Sequence, residues 1–290
     1  MSNYVIITES TTDLTAEMIK EMGVVVLPLK FQMGEKTYVD TIGDDGLDPK
    51  QFYDRLRGGE TASTTQITPA TFEEEFTKVL EDGKDILYVA FSSGLSGTYN
   101  AGCMAQQELL QKYPERKIII VDTLAASMGE GLLVYSAAKM KNEGKSIDEV
   151  AIWLEENKLN LCHWFTVDDL NHLKRGGRVS TTTAFVGTLL GIKPVMHVDN
   201  DGHLVPVSKV RGRRAALDAL ISKMKETAIE PDKNTVFISH GDAYEDVKYL
   251  EEKIRTEVGA GDIKANFIGP VIGSHSGPGT IAIFFFGTQR

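Results

Sequence analysis

Residues 86–102 read ILYVAFSSGLSGTYNAG, and this stretch decides the fold class. The apolar run at residues 86–91 predicts a strand that is buried on both faces, which is typical of a parallel sheet. Serines and glycines follow at once, and a helical pattern begins after them. Open α/β sheets bind ligands at this position, outside the carboxyl ends of their strands. The stretch therefore predicts an α/β layer with a polar turn available for binding.

The same alternation of strand and helix extends through the first half of the chain. Strand-like runs occur at residues 4–8, 24–29 and 117–122. Helix starts are marked by Asp48 and Thr68, each followed by proline, and by the capping-box pair Ser146 and Glu149. We expect an N-terminal α/β domain with a parallel sheet and right-handed crossovers.

The second half of the chain has a different pattern, in which strand-like runs arrive in pairs. Residues 192–198 and 203–210 flank the turn DNDG at 199–202, a strong hairpin signal. A helix is expected from residue 213 to about 227 and another over 244–256, with strands at 235–240, 263–268 and 280–287. This pattern predicts a C-terminal α+β domain with an antiparallel sheet. We place the boundary near residue 158, giving domains 1–158 and 159–290.

Composition excludes several classes of protein. The 290 residues carry a formal net charge of −10, whereas a general nucleic-acid binder should be basic. The sequence contains no apolar run long enough to cross a membrane and no secretory signal pattern. Two cysteines, Cys103 and Cys162, are too few for a disulfide scaffold or a four-thiolate zinc site. We expect a soluble, cytoplasmic monomer that holds no metal and needs no cofactor.

Three clusters of hydroxyl groups and glycines are candidates for a binding site. The turn at residues 92–98 offers Ser93 and Ser96 next to the free N–H groups of a helix start, which suit an anion but also suit simple capping. Residues 61–66 read as a polar loop ahead of the helix at Thr68. Residues 268–280 surround His275 with four glycines, which indicates a backbone shaped to present the imidazole ring. The polar loop at 61–66 and the glycine-rich segment at 268–280 could each also have a structural role only.

Two basic stretches stand out in the acidic chain, KRGGR at 174–178 and KVRGRR at 209–214. A charge run is usually a solvated face. The alternative is recognition of phosphate or of an acidic partner, for which the guanidinium fork of arginine is well suited.

Taken together, these motifs resemble the DegV family of fatty-acid-binding proteins over nearly the whole chain. The matching motifs, in chain order, are TESTTDLT (8–15), TTQITP (64–69), SSGLSGTYNA (92–101), DTLAASMGEG (122–131), LNHLKRGGRVS (170–180) and IGPVIGSHSGPGT (268–280). The resemblance implies a two-domain protein that holds one long-chain, palmitate-like fatty acid in a tunnel between its domains. It implies a role in lipid transport or fatty acid metabolism, with no enzymatic activity of its own. In the kinase-linked members, a fatty acid kinase phosphorylates the carboxylate of the carried acid.

The resemblance also implies which residues form the site. The fatty-acid head group is expected at Thr64, at Ser93 or Ser96, and at His275. The family's proline is missing after Gln66, and of the neighbouring threonines Thr64 is favoured. Of the two serines, Ser96 is favoured because of its place at the helix start. Two basic residues, Arg178 and Arg211, match positions that lie near the acyl phosphate or the kinase surface.

Two other functions compete with this interpretation. Residues 94–98 read GLSGT and approach the G-x-S-x-G nucleophile elbow, so a serine hydrolase using Ser96 and His275 is the alternative. Thr98 replaces the second glycine of that motif, and no aspartate stands out as the orienting acid. Nucleic-acid regulation through the basic stretch at 211–214 conflicts with the net charge.

Overall fold

The structure, a computed structural model, describes residues 3–43, 46–179 and 191–290. Its strands form three sheets. The strands are β1 (Tyr4–Glu9), β2 (Val25–Leu27), β3 (Lys30–Met33), β4 (Lys36–Val39), β5 (Ala62–Thr65), β6 (Asp85–Ala90), β7 (Ile118–Asp122), β8 (Leu161–Thr166), β9 (Ile192–Val198), β10 (Leu204–Arg211), β11 (Val236–His240), β12 (Ile263–Phe267) and β13 (Ile281–Phe286). The helices are α1 (Ala16–Met22), α2 (Pro49–Arg57), α3 (Pro69–Glu81), α4 (Thr98–Lys112), α5 (Met128–Asn142), α6 (Ile147–Asn157), α7 (Asn171–Arg175), α8 (Arg213–Thr227), α9 (Tyr244–Lys253) and α10 (Pro270–Ser276). Ser180, the last residue of the motif at 170–180, lies outside the described residues.

A four-stranded parallel sheet is built from the first half of the chain. Its order is β2-β1-β6-β7, and each neighbouring pair is parallel. All residues of β6 after Asp85 are buried, as a strand covered on both faces must be. The predicted parallel α/β layer is confirmed.

The helix starts in this half follow the capping signals in the sequence. The Asp48 carboxylate accepts the Gln51 N–H at 2.9 Å to begin α2, and the Thr68 hydroxyl accepts the Thr71 N–H at 3.3 Å to begin α3. The capping box at Ser146 is complete, because its hydroxyl accepts the Glu149 N–H while the Glu149 carboxylate accepts the Ser146 N–H. These three sequence predictions are confirmed.

A six-stranded sheet is built from the second half, in the order β10-β9-β8-β13-β11-β12. The predicted hairpin is present as β9 and β10. Four of the neighbouring pairs are antiparallel as predicted, but β11 and β12 run parallel. The helix α9 connects those two strands, and such a crossover brings the chain back to the same end of the sheet. The sheet is therefore mixed rather than purely antiparallel.

A third, three-stranded antiparallel sheet was not expected from the sequence. Its order is β4-β3-β5, and Thr64 of β5 pairs with Phe31 of β3. The prediction of a polar loop at residues 61–66 is thus wrong for Ala62–Thr65. The strand β3 alternates exposed and buried residues, with Phe31 and Met33 turned inward against Phe52. Because β3 is anchored in this way, it can hold β5 beside it, although β5 is short and polar and has no apolar pattern of its own.

The helix α5 packs between the two larger sheets, against β1 and β6 on one side and β8, β11 and β13 on the other. Its first seven residues are all buried, as expected for a helix covered all round. One apolar core joins side chains from both halves of the chain, such as Leu132 and Phe284. The division at residue 158 stays a prediction. It lies just after α6, in a short 3₁₀ turn that leads into β8. Among the described helices, none combines the length and the apolar character that a membrane span requires.

Candidate functional site

A cavity of about 540 Å³ lies between the two larger sheets, within the size range of small-molecule sites. Both halves of the chain line it. Its apolar walls are formed by Leu29, Phe91, Leu95, Ala126, Phe165, Leu173, Val198, Leu204, Ile268, Val271, Ile272, Ala282 and Phe284. Most of the wall surface is apolar and suits a flexible apolar ligand, while the polar side chains, which make up about half of the lining residues, can fix its orientation.

Thr64 and His275 meet at one part of this cavity, although 211 residues separate them in the sequence. The Thr64 Oγ1 and His275 Nε2 atoms are 2.8 Å apart and share a hydrogen bond. Thr64 is held by β5, and His275 by the last turn of α10, a helix absent from the sequence prediction. Both side chains are partly buried. The structure therefore brings these two predicted site residues together.

The His275 ring is fixed on its other side by a glycine. A Cβ atom at Gly176 would lie 2.2 Å from His275 Nδ1, so only glycine allows this approach without a shift. Burial, and to a lesser degree the nearby Arg178 charge, lower the pKa of His275 to about 4. The ring is thus neutral at physiological pH. The Nδ1 atom is buried and has no hydrogen-bond partner among the described residues.

Ser96 lines the cavity, whereas Ser93 does not. The Ser96 hydroxyl accepts the Thr98 N–H at 3.2 Å and lies 2.9 Å from the Thr98 hydroxyl. Gly97 is the N-cap of α4, so Ser96 lies one residue before the cap. The Ser93 N–H donates to the Asp122 carboxylate at 3.1 Å, which anchors the turn to the end of β7. The geometry favours Ser96 over Ser93, in line with the sequence preference.

The two predicted basic residues lie in different environments. Arg178 is half-buried and lines the cavity, and its Nε–H donates to the Leu95 carbonyl at 3.1 Å. Its guanidinium also contacts the Gly176 carbonyl, so it is tied to both walls of the site. Arg211 is the exposed last residue of β10 and is not part of the cavity lining. Only Arg178 can therefore act directly on a ligand in the cavity.

The hydrogen bonds do not assemble a serine hydrolase triad. Ser96 is bonded to Thr98, and His275 Nε2 is bonded to Thr64. A catalytic histidine also needs an acid on its second nitrogen. Among the described residues, no acid bonds to His275 Nδ1. The geometry thus gives no support to this alternative.

A group of buried carboxyl groups lies beside the cavity, and sequence reasoning did not single it out. The Glu9 carboxyl accepts the Phe91 N–H at 3.1 Å, and burial raises its pKa to about 7. Thr11, in the cavity wall, donates to Glu130, whose pKa burial raises well above its usual value. Acids within or next to apolar runs are the sequence signal that could have found this group.

Asp13 ties this region to the glycine-rich segment. Its carboxyl accepts the Gly269 N–H at 2.8 Å, at the N-terminus of α10, and its carbonyl accepts the Asn266 side-chain N–H at 2.8 Å. These bonds hold α10, and with it His275, against the turn that follows β1. The sequence motifs at 8–15 and 268–280 are thus in direct contact.

One group among the described residues has metal-ligand geometry, namely Asp199, Asp201 and His203 in the β9–β10 turn. The Asp199 Oδ1 atom already accepts the N–H groups of Asp201 and His203, at 3.0 and 2.8 Å. Turn formation accounts for this arrangement.

Comparison with known proteins gives matches along the whole chain. A family model described as "Uncharacterised protein, DegV family" matches residues 3–288. A DegV domain-containing protein of Clostridium perfringens is 48% identical, over 100% of this chain and 99% of the relative. A counterpart in Lactococcus lactis is 40% identical, over 97% and 96%.

Solved structures share the fold. A DegV lipid-binding protein from Thermotoga maritima is 31% identical with a TM-score of 0.86, covering 100% of both chains. A DegV family protein from Thermus thermophilus, described as binding fatty acid, is 28% identical with a TM-score of 0.87, over 98% of this chain and 99% of that one.

Proposed function

The chain belongs to the DegV family, and we propose that it binds one long-chain fatty acid in the cavity, with the carboxylate at Thr64, Ser96 and His275. The observation that carries this proposal is the Thr64–His275 hydrogen bond in the wall of an otherwise mainly apolar cavity. The Thermotoga and Thermus relatives support it, since both are described as binding lipid or fatty acid. The protein acts as a carrier and not as an enzyme.

Burial of the acyl chain supplies the affinity. A sixteen-carbon acid has about fifteen apolar carbons, and about 0.8 kcal/mol per buried CH₂ gives an upper bound of roughly 12 kcal/mol. The loss of translational and rotational freedom removes at least several kcal/mol of this free energy. The head-group contacts therefore mainly set the orientation of the ligand.

Neutral groups hold the carboxylate in this proposal. We assign to His275 the tautomer that donates Nε2–H to Thr64 Oγ1, so that His275 acts through Thr64 and the Thr64 hydroxyl proton is free to point at the ligand. Hydrogen bonds to a charged acceptor are stronger than those to a neutral one, so a few neutral donors are enough to hold the carboxylate. Arg178, tied to the Leu95 carbonyl, adds a positive charge in the same cavity.

Presentation of the carboxylate to a fatty acid kinase is the second part of the proposal. A kinase must meet the head group at the protein surface and bind next to it. Arg211 is exposed, so it can contact an acidic kinase surface, whereas Arg178 lines the cavity and can stabilise the more negative acyl phosphate.

Native mass spectrometry of the purified protein tests the ligand. We expect the added mass of one fatty acid, and a rise in melting temperature when delipidated protein is given an acid of about fourteen to eighteen carbons. No thermal shift with any such acid would refute the proposal. Stoichiometric labelling of Ser96 by a fluorophosphonate would instead favour the hydrolase alternative.

The head-group assignment is tested by two neighbouring threonines. Thr64→Val should weaken fatty-acid binding about ten-fold or more, because it removes a hydroxyl proposed to bond a charged group. Thr65→Val is the matched comparison: Thr65 also lines the cavity, but its hydroxyl donates to the Lys30 carbonyl within the sheet, so its loss should weaken binding less. Equal Kd values for the two variants, measured by displacement of a fluorescent fatty acid, would show that the assignment is wrong.

A further inference from the structure

Asp13 is a buried acid at the end of the turn that follows β1. It is 4% exposed and does not line the cavity. Its φ of 52° lies in the left-handed region, which aspartate and asparagine adopt more readily than most residues. Burial raises the pKa of its carboxyl well above the usual value. A buried acid in such a conformation costs stability, which indicates a role other than packing.

Three separate segments are tied to Asp13. One carboxyl oxygen, Oδ1, accepts at 2.8 Å the N–H of Gly269, the N-cap residue of α10. The other, Oδ2, accepts the hydroxyl of Ser127, which precedes α5 and lines the cavity. The main-chain carbonyl accepts the side-chain N–H of Asn266, in β12, at 2.8 Å. Both halves of the chain therefore meet at one residue.

The contact between Asp13 and the start of α10 is tight. A Cβ atom at Gly269 would lie 2.8 Å from Asp13 Oδ1, so glycine is what allows the carboxyl to reach the main chain. The Ile268 carbonyl, in the same peptide group, accepts the Tyr53 hydroxyl at 2.8 Å. The peptide group that enters α10 is thus held through both its N–H and its carbonyl.

The position of α10 decides whether the head-group site forms. The helix has only seven residues, too few to be stable without tertiary contacts. His275 lies in its last turn, where Nε2 is 2.8 Å from Thr64 Oγ1. Hydrogen bonds weaken steeply with distance and angle, so a small shift of the helix would break this one. Thr280 fixes the far end of α10 through the Ser276 carbonyl, at 2.9 Å, and Asp13 fixes the near end.

We propose that Asp13 is a positioning residue for the head-group site: it sets the place of α10 so that His275 can orient the Thr64 hydroxyl toward the carboxylate of the ligand. This inference rests on the fatty-acid function proposed above. Because Asp13 does not line the cavity, it acts through the bond between His275 and Thr64. What α10 needs from Asp13 is an acceptor oxygen, not a negative charge.

Removal of the side chain tests this role. Glycine suits the positive φ of this position, so backbone strain adds nothing to the effect of Asp13→Gly. We expect its Kd for hexadecanoic acid, measured by displacement of a fluorescent fatty acid, to rise about five- to ten-fold. Asp40→Ala is the matched control, because Asp40 is a neighbouring buried acid whose side chain bonds Ser10, and its Kd should stay within about two-fold. An unchanged Kd for Asp13→Gly overturns the proposal.

A double-mutant cycle with Thr64→Val separates positioning from general loosening of the fold. Once Thr64→Val has removed the bond to His275, Asp13→Gly should change the Kd by less than about two-fold. If Asp13→Gly weakens binding equally in both backgrounds, its role is structural only and the proposal is overturned. If hexadecanoic acid does not bind the unmodified protein, the proposed function fails instead.

The conservative variant Asp13→Asn should keep the Kd of the unmodified protein. Asparagine adopts positive φ and offers the same acceptor oxygen to the Gly269 N–H. A loss as large as that of Asp13→Gly would show that α10 needs the charge, which contradicts the proposal. Should Asp13→Gly fail to fold, Gly269→Ala takes its place in the cycle with Thr64→Val. Its Cβ would crowd Asp13 Oδ1, while alanine adopts the φ of −66° at this position freely.

Discussion

A single methyl group at Gly176 should disable the proposed head-group site. Gly176 ends α7 with φ −73°, a backbone conformation that alanine adopts freely, so any effect of Gly176→Ala comes from contact alone. The added Cβ would lie 2.2 Å from His275 Nδ1, about 1 Å closer than ordinary contact allows. Thr64 blocks the opposite edge of the ring, with its hydroxyl 2.8 Å from Nε2. The ring must therefore rotate out and lose its bond to Thr64, or α7 must move.

Two quantities should change in Gly176→Ala, the stability of the fold and the affinity for fatty acid. Overpacking of this kind costs about 1–3 kcal/mol of stability. Loss of a hydrogen bond to a charged carboxylate costs about 1.5–3 kcal/mol of binding free energy, which is roughly ten- to one-hundred-fold in Kd. We expect Gly176→Ala to fold, with a lower melting temperature, and to bind fatty acid at least about ten-fold more weakly.

Displacement of a fluorescent fatty acid, together with thermal unfolding of the delipidated protein, measures both quantities. Gly261→Ala is the matched control, because a Cβ atom there meets nothing within 4 Å. If Gly176→Ala keeps the Kd of the unmodified protein within about two-fold, the His275 ring is not part of the head-group site and our reasoning fails.

Other residues give further predictions. Arg211→Ala should keep fatty-acid binding but lose phosphorylation by a cognate kinase; unchanged turnover would leave Arg211 as a solvated surface residue. Burial raises the pKa of the Asp40 carboxyl to about 7. Its protonated form is tolerated in the fold, so its contribution to stability is highest below about pH 4 and falls as the pH rises to about 7, where the buried carboxyl ionises. Asp40→Asn should therefore raise the free energy of unfolding at pH 8 by up to about 4 kcal/mol, and much less at pH 4, in urea titrations; an equal change at both pH values would contradict this. Ser146→Ala should cost about 1 kcal/mol in the same assay through loss of the α6 cap, and no change would mean that the cap contributes nothing.

Local signals made much of the fold predictable. Buried apolar runs predicted the parallel strands, and capping residues such as Asp48 and Ser146 marked helix starts, because both signals act within a few residues. The strand β5 carries no such signal. Its residues Ala62–Thr65 are small and polar, and they form a strand only because Phe31 and Met33 of β3 anchor the sheet in the core. A non-local pairing of this kind cannot be read from a four-residue pattern.

The site was predictable only in part, for a related reason. The motifs at 64–69 and 268–280 were singled out by composition and resemblance, but the contact between Thr64 and His275 is purely tertiary. His163 sits in the run LCHWFT, where a histidine looks like any core residue. Its place in the cavity wall depends on the register of β8 with β13, which no sequence pattern fixes.

The charges around the cavity fit a ligand that must be both held and released. Burial lowers the pKa of His275 to about 4, so its ring is neutral, and burial raises the pKa of Glu130, which favours the uncharged carboxyl and weakens its repulsion of an anion. Arg178 is the one lysine or arginine among the described residues that line the cavity. In the proposed complex a carboxylate would be held by dipoles and a single guanidinium, while the acyl chain would provide most of the affinity. Since the acyl chain contributes most of the binding free energy, conversion of the head group to an acyl phosphate would leave the chain in place, and the added negative charge would meet Arg178.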